Sequence, residues 1–359
     1  MIATTRRSSG KPLSPQASYK SLTRRRILII TALALLAVAV FCGDVLIGGA
    51  PMPFGDLARA AFTPWQAPAV DRQIVWDIRL PMSVTGVLVG SALAAAGAGM
   101  QTILNNPLAE PYTLGVSAAA GFGAALAAVT GLTGLLPLGN ELGMAGSAWI
   151  FAIVACLMIL GFARLRGTGA ETMILLGIAI VFLFNALLAL MQYVASEVQL
   201  QQVVFWTLGS LGRASWAQIA TLAVVTAVLL PFFYWHAWTL TAFRMGDDRA
   251  SALGVPVDRM RTFALLGVSL LAATAVSIAG TIGFIGLVGP HIARILVGED
   301  QRYFLTASIL SGATLLTGAS MVSKLVVPGV IVPVGVITSL VGVPVFLLII
   351  MTRRQRTWA

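Results

Sequence analysis

The chain has 359 residues, of which 58% are hydrophobic and only 10% charged, and it carries a formal net charge of +10. With a mean hydropathy of +0.92, this excludes an ordinary soluble domain, where about a quarter of residues are charged. It points to an all-α, polytopic membrane protein.

Taken in order, residues 1–26 read as a basic, polar tail retained on the cytoplasmic side. Apolar runs of about twenty residues, the length that crosses a bilayer as helix, then predict ten spans. They lie at 27–47, 82–101, 114–135, 145–163, 171–194, 216–238, 262–281, 284–298, 303–323 and 333–351, with Pro290 interrupting the eighth. Residues 353–359 form a short C-terminal tail. Ten spans place both termini on one side. Basic clusters at Arg24 to Arg26, Arg164 and Arg166, Arg244 to Arg261, and Arg353, Arg354 and Arg356 fall on that same side. The other side keeps Arg59, Arg72, Arg79, Arg213 and Lys324. Lys and Arg collect in cytoplasmic loops, so the basic excess reads as membrane topology and not as a nucleic-acid surface.

The span interiors, such as "GVLVGSALAAAGAGM", space small residues three and four apart, which lets helices pack closely in lipid. Ion-coupled carriers expose ionisable residues within their spans. Here Glu110, Glu171 and Glu197 fall at span ends or in loops, and His236 sits near an end. Cys42 and Cys156 lie in separate apolar runs without metal-ligand spacing. No His/Asp/Glu cluster suggests an enzyme, and no cofactor or metal site is indicated. A phosphate-binding G-x-x-x-x-G-K-[ST] loop is missing. A transporter with neither ion coupling nor its own nucleotide site implies a partner that hydrolyses ATP.

Three segments interrupt the apolar pattern. "NNPLAEP", containing Asn106, Pro107, Glu110 and Pro111, joins the second and third spans. It reads as a tight turn in which prolines stop helices and Asn105 and Asn106 satisfy free carbonyls; a gate is the other reading. "AGTIGFIGLVGPHIARILVGED" places Gly280, Gly283, Gly286, Gly289 and Pro290 ahead of His291 and Arg294. Such breaks need protein or water to satisfy the backbone, and a lone histidine reads first as a packing or loop residue. "RMGDDRASALGVPVDRMR", from Arg244 to Arg261, predicts two short amphipathic helices. The first is capped by Asp247 or Asp248 and ended by Gly254. On the opposite side, Arg79 and Lys324 are expected at the surface, as cations for an acidic partner.

Together with "RLP" before the second span, "LGSLGRASW" and "PVGVITSLVGVPVFLLI", these stretches resemble the FecCD family over residues 27 to 352. That family supplies permease subunits of bacterial ABC importers for ferric siderophores, haem and cobalamin. The resemblance implies a cobalamin-importer-like permease fold in the inner membrane, with both termini cytoplasmic. It implies a dimer, a homodimer being favoured, with two cytoplasmic ATPases that carry ATP-Mg. A periplasmic or lipid-anchored binding protein delivers cargo, ferric siderophore first, with haem or cobalamin as alternatives. Met245, Ala250, Leu253, Gly254 and Pro256 match the loop that couples to the ATPase. Arg79 matches the first Arg of the family's R-L-P-R, whose second is Met82 here. Lys324 and Ser320 stand where the family has an Arg and an Asp, and Ile331-Val332-Pro333 replaces Glu-Leu-Pro.

Overall fold

The computed structural model describes residues 15–48, 52–131, 139–166, 169–327 and 329–352. The basic residues Arg353, Arg354 and Arg356, most of the expected N-terminal tail, and residues 132–135 of the third expected span lie outside them. The described residues fold into helices α1 (Pro15–Leu46), α2 (Phe54–Phe62), α3 (Ala69–Gln73), α4 (Leu80–Ile103), α5 (Val116–Thr130), α6 (Gly139–Arg166), α7 (Ala170–Val194) and α8 (Glu197–Thr207). They continue through α9 (Trp216–Trp235), α10 (Ala237–Phe243), α11 (Asp247–Ala252), α12 (Val257–Ala279), α13 (Ile285–Val297), α14 (Gln301–Leu325) and α15 (Val334–Thr352). A π turn, Ile74–Arg79, fuses α3 to α4 into one apolar segment, Ala69–Ile103.

Among the described residues, seven segments are long and apolar enough to cross a membrane, and α5, α13 and α15 are shorter apolar helices. Together they correspond to the ten expected spans. The α4 helix is the central post: every residue from Val89 to Ile103 is buried, against α12, α13 and α14. Its small side chains make this possible. A Cβ on Gly97 would overlap the Gly286 carbonyl of α13, and one on Gly90 would overlap the Gly312 carbonyl of α14. A second group, α5 to α7, packs through Phe122, Phe151 and Phe184, with the Phe122 and Phe151 rings edge-on at 4.9 Å. The α1 helix leans on α14 and is otherwise largely exposed.

Two helices are half-length, and this positions the site. The α5 helix starts beside the middle of α7, where Gly115 packs on Ile180 and Gly177 on the Thr113 carbonyl. It ends at Thr130 with Gly131 in the left-handed region (φ 65°), short of the expected residue 135. The α13 helix begins beside the middle of α4, after the non-helical stretch 280–284.

Three further differences from expectation have local causes. The sixth span ends at Trp235, and His236 breaks it from α10. The second of the two short loop helices is the first turn of α12 itself. Helix α8, unforeseen, starts at a capping box in which Ser196 and Gln199 each satisfy the other's backbone N–H.

Candidate functional site

At one end of the bundle, α10, α11 and the start of α12 form a compact shelf. Gly246, in the left-handed region (φ 92°), precedes α11 and no side chain caps that helix, so Asp247 is its first residue and not its cap. Ala250 is fully buried and fastens α11, while Leu253 is 65% and Met245 46% exposed. Gly254 turns the chain at φ 82°, and Pro256 is exposed as the residue before α12. Two large apolar side chains thus stand in solvent among charged neighbours.

Beneath this shelf lies a buried arginine. The Arg261 guanidinium is nearly inaccessible, donates from Nε to the Ile103 carbonyl at 3.1 Å, and donates from a terminal nitrogen to Asp247 Oδ1 at 2.6 Å. It also lies over the Phe243 ring. A second arginine, Arg294 on α13, donates to Gln101 Oε1 of α4 at 2.6 Å and pairs with Glu299, which Arg244 also holds. The end of α4 is thus gripped from both sides.

The turn that leaves α4 passes through Asn105 in the left-handed region (φ 45°). The Asn106 side-chain oxygen accepts the Leu108 N–H at 3.0 Å. The expectation that these amides satisfy carbonyls is corrected there: Asn106 closes an Asx turn, accepting and not donating. Pro107 is half-buried in the same turn. Pro111 opens a 3-10 turn, Pro111–Leu114, where its missing N–H costs nothing.

This turn is stitched to the break before α13. The Glu110 carboxylate accepts the Phe284 N–H, and the Tyr112 hydroxyl accepts the Ile282 N–H at 2.9 Å. Burial pushes the Glu110 carboxyl up to about 7, against the opposing pull of the Phe284 N–H. Phe284 itself is held at φ 69°, a conformation costing about 1–2 kcal/mol for a residue with a Cβ. One turn later, Pro290 has no N–H for the Gly286 carbonyl. That carbonyl faces Gly97 and the Gln101 amide of α4. His291, partly buried, follows Pro290 on α13. Among the described residues no group of three His, Cys, Asp or Glu is arranged to hold a metal.

The opposite end corrects an expectation. Arg79 is 3% and Lys324 6% exposed; neither stands at the surface. Arg79 donates to the Val45 and Leu46 carbonyls at the end of α1. Lys324 pairs with Asp44, which is fully buried and also accepts the Ser83 hydroxyl at 2.6 Å. Both cations are bound within the chain because α1 supplies an anion and two end carbonyls beside them. Arg59 and Arg72 are the exposed arginines on the adjoining α2–α3 shelf. Arg72 borders a cleft of about 530 Å³ with Trp76, Asp77 and Trp216.

The model of the FecCD transport family matches residues 35–352. The chain belongs to the FecCD transport family. It is 33% identical over 324 residues to the vitamin B12 import system permease protein BtuC of Vibrio vulnificus, covering 89% of this chain and 91% of that one. To the cobalamin import system permease protein BtuC of Halobacterium salinarum it is 35% identical over 344 residues, covering 92% and 90%. A solved inward-facing structure, described as a metal-chelate type ABC transporter, superposes with a TM-score of 0.77 at 27% identity, covering 91% of this chain and 99% of that one.

Within this FecCD chain the structure gathers Met245, Ala250, Leu253, Gly254 and Pro256 at one end, with Asn106, Pro107, Glu110, Pro111, Pro290, His291 and Arg294 behind them. Arg79 and Lys324 belong to the other end. Sequence reasoning overlooked Asp44, whose signal was a lone carboxylate inside the first apolar run. It also overlooked Arg261 and Gln101 as contacts: Asp247 lies only 14 residues from Arg261, but Ile103, Gly286 and Arg294 are too distant in sequence to be seen.

Proposed function

We propose that this chain is the transmembrane permease subunit of an ATP-driven importer that passes a metal chelate across the inner membrane. The exposed Leu253 and Met245, set on a shelf fastened by Ala250, carry this reading: they offer an apolar foothold to an ATPase docking from the cytoplasm. That end is then cytoplasmic, as are both termini, and ATP-Mg is held and hydrolysed by two partner subunits. A second copy of this chain completes the path, and a periplasmic or lipid-anchored binding protein delivers cargo at the α2–α3 end.

Among metal chelates, the relatives named for vitamin B12 favour a corrinoid, and ferric siderophore and haem are the alternatives within the same machinery. The test is uptake by a strain lacking this gene, offered labelled cobalamin, ferric siderophore and haem in turn. Loss of one cargo, restored by the intact gene and not by Leu253→Asp, is expected. Undiminished uptake of all three would overturn the reading of the cargo class.

A further inference from the structure

The shelf and the turn after α4 are separate in sequence, yet one side chain touches both. Arg261 sits in the first turns of α12 with its guanidinium sealed from solvent. One edge holds Asp247, the first residue of α11, at 2.6 Å. Another holds the Ile103 carbonyl, the last of α4, at 3.1 Å. Two residues further on the chain enters the turn that ends at Glu110, and Glu110 holds the N–H of Phe284, the residue before α13. The pair is unequal in burial: the Asp247 side chain is half exposed, that of Arg261 is 3% exposed. Asp247 is therefore free to move with α11, while its partner cannot be left alone in the core without a large penalty. The cation also sits where the carbonyl end of α4 concentrates negative charge. An arginine fork can hold a carboxylate and a carbonyl at once; an ammonium is a point charge without that fixed geometry.

We propose that Arg261 is the positioning residue through which a displacement of α11 reaches the end of α4, and through its turn the start of α13. This rests on the permease reading above, since it is the docked ATPase that displaces α11. Arg261 then moves as a hinge pin with Asp247, and the Asn105–Glu110 turn shifts with the Ile103 carbonyl.

The test uses the full complex, purified with its ATPases, in a Cys42→Ser, Cys156→Ser background. Leu108→Cys, in the turn, reports through its rate of maleimide labelling with and without ATP and vanadate. The parent should show an ATP-dependent change in that rate. Arg261→Met and Asp247→Ala should each shrink the change about five-fold or more, a usual size for coupling between sites, while the ATPases still co-purify. The double variant should be no worse than either alone, because both act on one link. Arg261→Lys keeps the buried charge and so protects the fold; it should retain part of the change. An unaltered ATP response in Arg261→Lys and Asp247→Ala, with ATPases bound, overturns the relay. A parent that binds no ATPase overturns the permease reading and the relay with it.

Discussion

Lys324 donates to Asp44 twice, at 2.8 Å to the carboxylate and at 2.8 Å to the backbone carbonyl. Their side chains are 2% and 0% exposed. The pair ties the end of α1 to the end of α14, and Ser83 adds α4 to the knot. Such a pair is weak evidence of net stability, yet removing one member strands a buried charge at a cost of about 3–5 kcal/mol. Lys324→Met and Asp44→Asn should each lower the melting temperature of the detergent-purified protein steeply. The double variant Asp44→Asn, Lys324→Met should recover much of the loss. Additive damage in the double variant would show that the two do not act as a pair.

For docking of an acidic binding protein we propose a different arginine. With Arg79 and Lys324 bonded to α1, Arg72 is the exposed cation beside the tryptophan-lined cleft. Arg72→Glu should weaken binding of the cognate binding protein about ten-fold at low salt, with the difference shrinking as salt screens it. Titration of the purified complex at two ionic strengths measures this. Equal affinity for both forms at low salt would remove Arg72 from the interface.

Glu110 supplies a pH dependence whose sign runs opposite to that of a salt-bridged carboxylate. Its carboxyl is raised from 4.5 to about 7 by burial. Below pH 4.5 folded and unfolded chains are both protonated, so the group contributes no difference. Above that the unfolded chain ionises first, and stability falls as pH rises towards 7, by up to about 3 kcal/mol, then stays level. Glu110→Gln keeps an oxygen for the Phe284 N–H and removes the titration. Its melting temperature should decline less than the parent's between pH 5 and pH 7. Parallel profiles would show that Glu110 does not titrate in this window.

Leu253 is exposed and makes the simplest test of the shelf. Leu253→Asp should leave melting within about 0.5 kcal/mol of the parent, as surface changes do, while co-purification of the ATPase is lost. Retained ATPase would move the docking surface elsewhere.

The spans were legible because hydropathy over twenty residues is a local property. The shortness of α13 was partly legible, through the 280–290 run of glycines and proline, whereas that of α5 was not, its span having been read on through Gly131. What those breaks do was not, since the groups that satisfy them, Glu110 and Tyr112 on one side and Gln101 on the other, lie 170 residues or more from their partners. Arg79 and Lys324 show the same limit. A cation at the edge of an apolar run looks alike whether it faces water or a buried carboxylate, and Asp44 is 280 residues from Lys324. Capping is the opposite case: Ser196 with Gln199 and Ser215 with Gln218 lie at three-residue spacing, a local signal that went unread when α8 was missed.

The α1 helix touches the bundle along one side, and two of its charged residues are fastened by residues made much later. Arg26 meets Asp300 across 274 positions, and Asp44 meets Lys324 across 280. During synthesis Arg79 and Ser83 follow soon after this helix and can hold its end. Its contacts with Asp300 and Lys324 wait until the ribosome has delivered α14. A segment threaded before α14 is thus fully locked only by it, and a chain interrupted before residue 300 would hold α1 by one end alone.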